Sequence, residues 1–271
     1  ASNNTAMGHD ALGANTTGTE NVAVGKGAGD ALTTGGYNTV VGTDALSAAT
    51  TSTFNTAIGR NALLVCTTGA SNVAVGGQAL SANTTGGNNV ALGISALSTN
   101  TTGSYQVAIG RNALLNSDGV NGNVCVGYNT GQAITTGDGN VFMGYVAGDA
   151  VTTADNNTGI GYASLGSTTT GAENTAIGLN AGTSITTGAN NTIVGSGVGG
   201  TITTGSNSIL MGREANVSSS GNSELVIGNA ISGIGNNTGL IYPPGGGNMY
   251  QATNATTWAQ TSDKRIKKNI V

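Results

Sequence analysis

Charged and aromatic residues are scarce in this chain. Of its 271 residues, 7% are charged and 4% are aromatic, and it has 2 Pro, 2 Cys, 1 Trp and 1 His. An ordinary globular domain has about 25% charged residues, so a conventional enzyme with a single core is not expected. No run of about 18 apolar residues is present that would predict a membrane-spanning helix. With His9 as the single histidine, a multi-histidine metal site is excluded within one chain.

Glycine, in contrast, is abundant, with 47 residues. Gly does not fall at every third position and Pro is rare, so the chain is not collagen-like. Plentiful β-branched residues and little charge are the reverse of the composition of disordered chains. The formal net charge is −4, and half of the eight basic residues lie within 264–268. The body therefore lacks the basic stripe that nucleic-acid binding requires, and we expect no nucleic-acid partner, no membrane insertion, no metal and no cofactor.

A repeat of 17 residues organises the chain. Asn, once replaced by Gln and once by Ser, recurs at this spacing from Asn4 to Ser208, and a Gly follows four positions later in every unit. We number the positions of each coil from 1, at the Asn column, to 17. A fourteenth unit, Glu224–Gly228, begins one residue early. The clearest Asn and Gly pairs are Asn21 with Gly25, Asn55 with Gly59, Asn72 with Gly76, and Asn174 with Gly178.

The repeat predicts an all-β fold. A unit of this length is too short for a helical hairpin or a propeller blade. Position 2 is β-branched, position 4 is a bulky aliphatic or Met, and position 3 is usually Ala, which is typical of a short strand. We therefore predict a parallel β-roll or β-solenoid over residues 1–228, with a rise of about 4.8 Å per coil. The Gly at position 5 predicts a corner, and the Asn column predicts a hydrogen-bonded ladder.

Both faces of the predicted strand are apolar. Positions 2 and 4 share one face, and the alanine at position 3 points the other way. A strand with one wet face would show polar residues on that face. Because one thin coil has a single interior, we expect other copies of the chain to cover the alanine face. This expectation predicts a homotrimeric fibre in which the alanines permit close approach.

The two cysteines do not predict a disulfide. Cys66 and Cys125 lie about four coils apart, which corresponds to about 19 Å along the axis. This separation exceeds the reach of a disulfide. We therefore expect two small buried residues.

The composition changes after Asn229. Residues 229–260 contain both prolines and a run of three glycines, and we interpret them as a connector. Residues 261–271 include Ser-Asp-Lys-Arg-Ile-Lys-Lys-Asn-Ile, at 262–270. This motif resembles the opening of the intramolecular chaperone domain of endosialidase-type phage tail spikes and tail fibres.

The resemblance to the chaperone domain implies self-removal by autoproteolysis after three chains have assembled. Carried over by position, Ser262 is the nucleophile, the bond between Ser262 and Asp263 is cleaved, and Lys267 is the base. A lysine can activate a serine hydroxyl when burial lowers its pKa. Since the motif opens a domain, we expect the gene product to continue past residue 271.

The body carries a second resemblance. Asn-Thr-Ala-Ile-Gly at 55–59 and 174–178, and Asn-Val-Ala-Val-Gly at 21–25 and 72–76, resemble the head repeats of trimeric autotransporter adhesins, which are trimers of parallel β-rolls. This resemblance covers residues 4–228.

Together the two resemblances imply a structural and adhesive segment of a phage-type tail fibre in the virion. Its partners would be two further copies, a host-surface receptor (a glycan or a protein) and other tail or baseplate proteins. Three identical faces would convert weak contacts into avidity. A bacterial surface adhesin of the trimeric autotransporter type is the alternative. An enzyme acting on surface glycans would need aromatic rings that the body largely lacks, so we expect the body not to be catalytic.

Overall fold

The computed structural model describes residues 1–217, 221–242 and 249–251, and the backbone of 259–260. These residues form an all-β parallel solenoid of about 14 coils, and no helix occurs among them. The solenoid of 17-residue coils predicted from the sequence is therefore confirmed. The chain divides into two compact units, the first being Ala1–Thr153 and the second beginning at Ala154.

In the first unit, each coil contributes one strand of three residues. Consecutive strands pair in parallel with a register shift of one repeat, as in the pairing of Val73 with Val90. The strands are β1 (Thr5–Met7), β2 (Val22–Val24), β3 (Thr39–Val41), β4 (Thr56–Ile58), β5 (Val73–Val75), β6 (Val90–Leu92), β7 (Val107–Ile109), β8 (Val124–Val126) and β9 (Val141–Met143).

The second unit continues this pattern and then reverses strand direction. Its parallel strands are β10 (Thr158–Ile160), β11 (Thr175–Ile177), β12 (Thr192–Val194), β13 (Ile209–Met211), β14 (Leu225–Ile227) and β15 (Gly239–Ile241). Two antiparallel strands follow, β16 (Met249–Gln251) and β17 (Ala259–Gln260). The segment that we interpreted as a connector thus contains three strands.

The alanine column lies inside the coil, and our expectation that other copies cover it is wrong. Ala23 is 0% exposed within the single chain, whereas its neighbour Val22 is 39% exposed. From β2 to β14 position 3 is buried, whether it carries Ala or a larger residue such as Phe142 or Ile193, and positions 2 and 4 face outward. The apolar face that a single chain leaves uncovered is therefore the face of bulky aliphatic side chains.

Most coils fill the rest of their interior with one large side chain, which comes from position 9 or from position 12. Leu46, at position 9, is fully buried beside the small Ala49 at position 12. In the preceding coil, Gly29 occupies position 9 and the fully buried Leu32 occupies position 12. A Cβ on Gly29 would lie 3.0 Å from Leu32 Cδ1, so the two positions share one volume.

Buried asparagines at position 1 tie each coil to itself and to the next coil. The side chain of Asn72 donates from Nδ2 to the carbonyl of Gly86 in its own coil, at 2.9 Å. Its Oδ1 accepts from the backbone N–H of Asn89 in the next coil, at 3.0 Å. Each such side chain therefore satisfies two backbone groups that the narrow interior hides from water.

The glycines at position 5 are required by a close approach between coils. At Gly76, φ is +135°, and a Cβ would lie 2.5 Å from the carbonyl oxygen of Gly93. Both the backbone conformation and the contact exclude a larger residue.

Candidate interaction surface

Positions 2 and 4 of successive strands form an outward apolar face in each unit. Exposed members include Ile58 at 37% in the first unit and Met211 at 42% in the second. All side chains at position 4 are aliphatic or Met, and those at position 2 are Val, Thr, Ile or Leu, so the face carries no charge. In the first unit it spans nine strands, or about 40 Å along the stack. Monomeric soluble proteins rarely expose an apolar patch that is both continuous and long.

Two columns of exposed residues border this face. Position 17 precedes each strand and position 6 follows it. The backbone ladder extends through both borders, since the N–H of Tyr105 donates to Gly87 O and the N–H of Asn112 donates to Ile94 O. A residue at position 17 and the residue six places later therefore lie at the same level along the stack, on opposite edges of the face.

Aromatic rings are stacked along both edges of the first unit. On the position-17 edge, the rings of Tyr37 and Phe54 are stacked with centroids 4.9 Å apart. On the position-6 edge, Tyr128 and Tyr145 are stacked at 5.2 Å. All four rings are exposed to solvent. Our sequence reasoning missed these edges, although the spacing of 17 residues within each pair was a visible signal.

An open cavity of about 310 Å³ lies on the position-17 edge of the second unit. Its lining combines polar and apolar groups and includes Asn207, Ser223 and Asn237, which are all position-17 residues, together with Gln251 of β16. The cavity adjoins the apolar face through Ile209 and Leu225. It offers hydrogen-bonding groups at the place where the aliphatic face ends.

The structure places the predicted Asn and Gly residues in two separate columns. Asn21, Asn55, Asn72 and Asn174 are buried in the ladder. Gly25, Gly59, Gly76 and Gly178 lie at the corner after the strand, with φ between +130° and +135°. Ser262, Asp263 and Lys267 lie outside the described residues.

The two thiols and the possible metal ligands of the described residues were the remaining candidates for chemistry. Cys66 and Cys125 are free and buried, and burial raises the pKa of the Cys66 thiol to about 11. Burial likewise raises the pKa of Cys125 far above its ordinary value. Within the part of the chain that the structure describes, no group of three or more His, Cys, Asp or Glu side chains is placed to hold a metal ion.

The described part of the chain also contains no helix of the length and hydrophobicity needed to cross a membrane.

Comparison of the chain with protein-family models, with curated protein sequences and with solved structures gave no match.

Proposed function

We propose that the chain is a structural and adhesive segment of a phage-type tail fibre, and that three copies pack through the outward aliphatic face. The observation that carries this proposal is the continuous, uncharged face at positions 2 and 4. A single chain leaves this face in water, where it is unfavourable in proportion to its area.

A second copy of the same chain is the occupant that best fits the face. The aliphatic side chains repeat at the spacing of the strands, about 4.8 Å. A partner with the same repeat presents side chains at the same spacing and can interdigitate along the whole length. A cyclic arrangement around an axis parallel to the stack hides the face of every copy and closes the assembly.

The oligomer is tested by light scattering on the full chain and on two variants. We expect the mass of a trimer for the wild type. Val75→Lys places a charge at position 4, in the middle of the face, and we expect it to dissociate the trimer because an unpaired buried charge is costly. The matched control, Thr85→Lys, adds the same charge at an exposed residue outside the face and keeps the trimer. A monomeric wild type would refute the proposal.

Adhesion is tested with a fluorescent fusion of the full chain on a panel of intact bacterial cells. Because three weak contacts act together, the trimer gains avidity that a monomer lacks. We expect the wild type and Thr85→Lys to bind at least one strain and Val75→Lys to bind it much more weakly. Equal binding by all three proteins would contradict the gain from avidity, and binding to no strain would contradict the adhesive role.

Maturation by autocleavage is the second part of the proposal and rests on the motif at 262–270. Hydrolysis of the peptide bond after Ser262 consumes one water molecule, whose oxygen ends in the new carboxylate on Ser262 while a proton goes to the new amine on Asp263. Mass spectrometry of the full-length gene product is expected to find a fragment ending at Ser262. The Ser262→Ala product is expected to stay intact, and identical masses for the two proteins would exclude cleavage at this bond.

A further inference from the structure

We propose that neighbouring copies lie parallel and in register, so that the position-6 edge of one copy contacts the position-17 edge of the next copy at the same strand level. This inference rests on the proposed oligomer and specifies its contacts. In a cyclic assembly around an axis parallel to the stack, rotation preserves the level of every residue. Each edge therefore meets the opposite edge of its neighbour at an unchanged height.

The two edges of the first unit are chemically complementary at several levels. Lys26 lies opposite Glu20, and both side chains are exposed, so they can form an ion pair between copies. Arg111 lies opposite Tyr105, which is 67% exposed. A guanidinium over a tyrosine ring is a favourable cation–π pair.

Arginine and aromatic residues meet at a further level, where Arg60 lies opposite Phe54. Within one chain, the members of each pair are separated by five residues of strand and corner, which span on the order of 15–20 Å when extended. The complementarity therefore cannot be satisfied inside a single copy. Contact between copies brings each pair together.

Side-chain size is also complementary at the levels of the stacked tyrosines. Tyr128 lies opposite Gly122, and Tyr145 lies opposite Gly139. Both glycines are exposed, so they leave room beside the face at the two levels where the other edge carries bulky rings. An arrangement shifted by several levels would bring these rings against larger residues.

The second unit provides a similar pairing at its cavity. Arg213 lies on the position-6 edge, opposite Asn207, and its guanidinium contacts only the exposed carboxylate of Glu214, at 3.3 Å, among the described ion pairs. Asn207 lines the cavity of about 310 Å³ on the position-17 edge. The guanidinium of one copy can thus enter the cavity of the next, where side-chain oxygens can accept its hydrogen bonds.

Cysteine pairs test the register, in a Cys66→Ala, Cys125→Ala background of the full chain. The in-register pair combines Tyr105→Cys with Arg111→Cys. The matched control combines Phe54→Cys with Arg111→Cys, which also removes one aromatic residue and the same arginine but lies three levels out of register, or about 14 Å. A disulfide forms only when the Cα atoms approach within about 7 Å.

After mild oxidation, we expect the in-register pair to give covalent oligomers up to the trimer on a non-reducing denaturing gel, while the control remains monomeric. Light scattering before oxidation separates the two proposals. A trimer that forms no disulfide with the in-register pair, or that forms one with the control, would overturn the register and leave the proposed function standing. A monomer would refute the proposed oligomer, and the register with it.

Discussion

At the scale of single residues, the effect of a substitution on the stability of the fold depends on which atoms of the next coil, about 5 Å away, the new side chain would meet. The neighbouring glycines Gly76 and Gly77 illustrate this dependence. A Cβ at Gly76 would lie 2.5 Å from Gly93 O, whereas a Cβ at Gly77 would have no atom within 4 Å. We expect Gly76→Ala to lose roughly 3 kcal/mol or more of unfolding free energy, and Gly77→Ala to be nearly neutral. Urea denaturation of both variants checks this, and equal losses would contradict the steric explanation.

The Asn ladder makes a second prediction for single residues. Asn72→Ala removes the partner of the Asn89 N–H, which stays buried, and one of the two donors to Gly86 O, which keeps its hydrogen bond from Asn83 Nδ2. One unsatisfied buried backbone N–H costs about 1–3 kcal/mol. Thr85→Ala, at an exposed position of the same coil, is expected to cost less than about 0.5 kcal/mol. If thermal denaturation gives the two variants the same stability, the ladder contributes nothing.

The buried thiols make stability depend on alkaline pH. The fold keeps Cys66 protonated up to a pKa of about 11, whereas in the unfolded chain the thiol ionises near its ordinary value. The unfolded state therefore binds fewer protons between these values, and stability falls as the pH rises from about 9 to 11, by up to about 1.4 kcal/mol per pH unit per thiol. We expect Cys66→Ala to show a shallower decline in denaturation experiments over this range. An unchanged slope would show that the thiol ionises equally in both states.

At the scale of the coil, positions 9 and 12 form one packing unit. Leu46→Gly leaves a cavity and is expected to cost about 2–5 kcal/mol, and Ala49→Leu alone overfills the coil at about 1–3 kcal/mol. The double variant recreates the arrangement of Gly29 and Leu32 in the preceding coil, so most of the stability should return. A double-mutant cycle measures this coupling, and additive losses would show that the two positions do not share a volume.

The coil also shows which features the sequence could predict. The periodicity predicted one strand in each coil and the columns that contain Asn72 and Gly76, because these features recur at one spacing. It could not decide which strand face is the interior, since Ala23 and Val22 are both apolar and either face satisfies the alternation. The turns at positions 6–16 decide this, because they close over one face and place large side chains such as Leu46 against it. The edge residues, such as Tyr105 and Arg111, were missed because their chemistry varies from coil to coil.

For each unit as a whole, stacking of nearest-neighbour coils supplies the stability, and an end coil has a neighbour on one side only. In the first unit, Ala6 is exposed in β1, while Ala74 is fully buried in β5. We expect amide hydrogen exchange to be fastest in residues 4–20 and to slow toward residues 72–105. Uniform protection across these coils would indicate that the unit unfolds only as a whole.

Assembly of the whole molecule makes its stability depend on concentration. If three copies bury the aliphatic face and unfold together, the ratio of trimer to unfolded chains depends on the square of the chain concentration. Each tenfold increase then stabilises the trimer by about 2.7 kcal/mol, twice the value of about 1.4 kcal/mol for a tenfold change in one equilibrium. Thermal unfolding of the wild type should therefore shift to higher temperature on concentration, while Val75→Lys should show no shift. A wild-type midpoint that is constant over a hundredfold range of concentration would mean that the aliphatic face stays in water and that its side chains serve each chain alone.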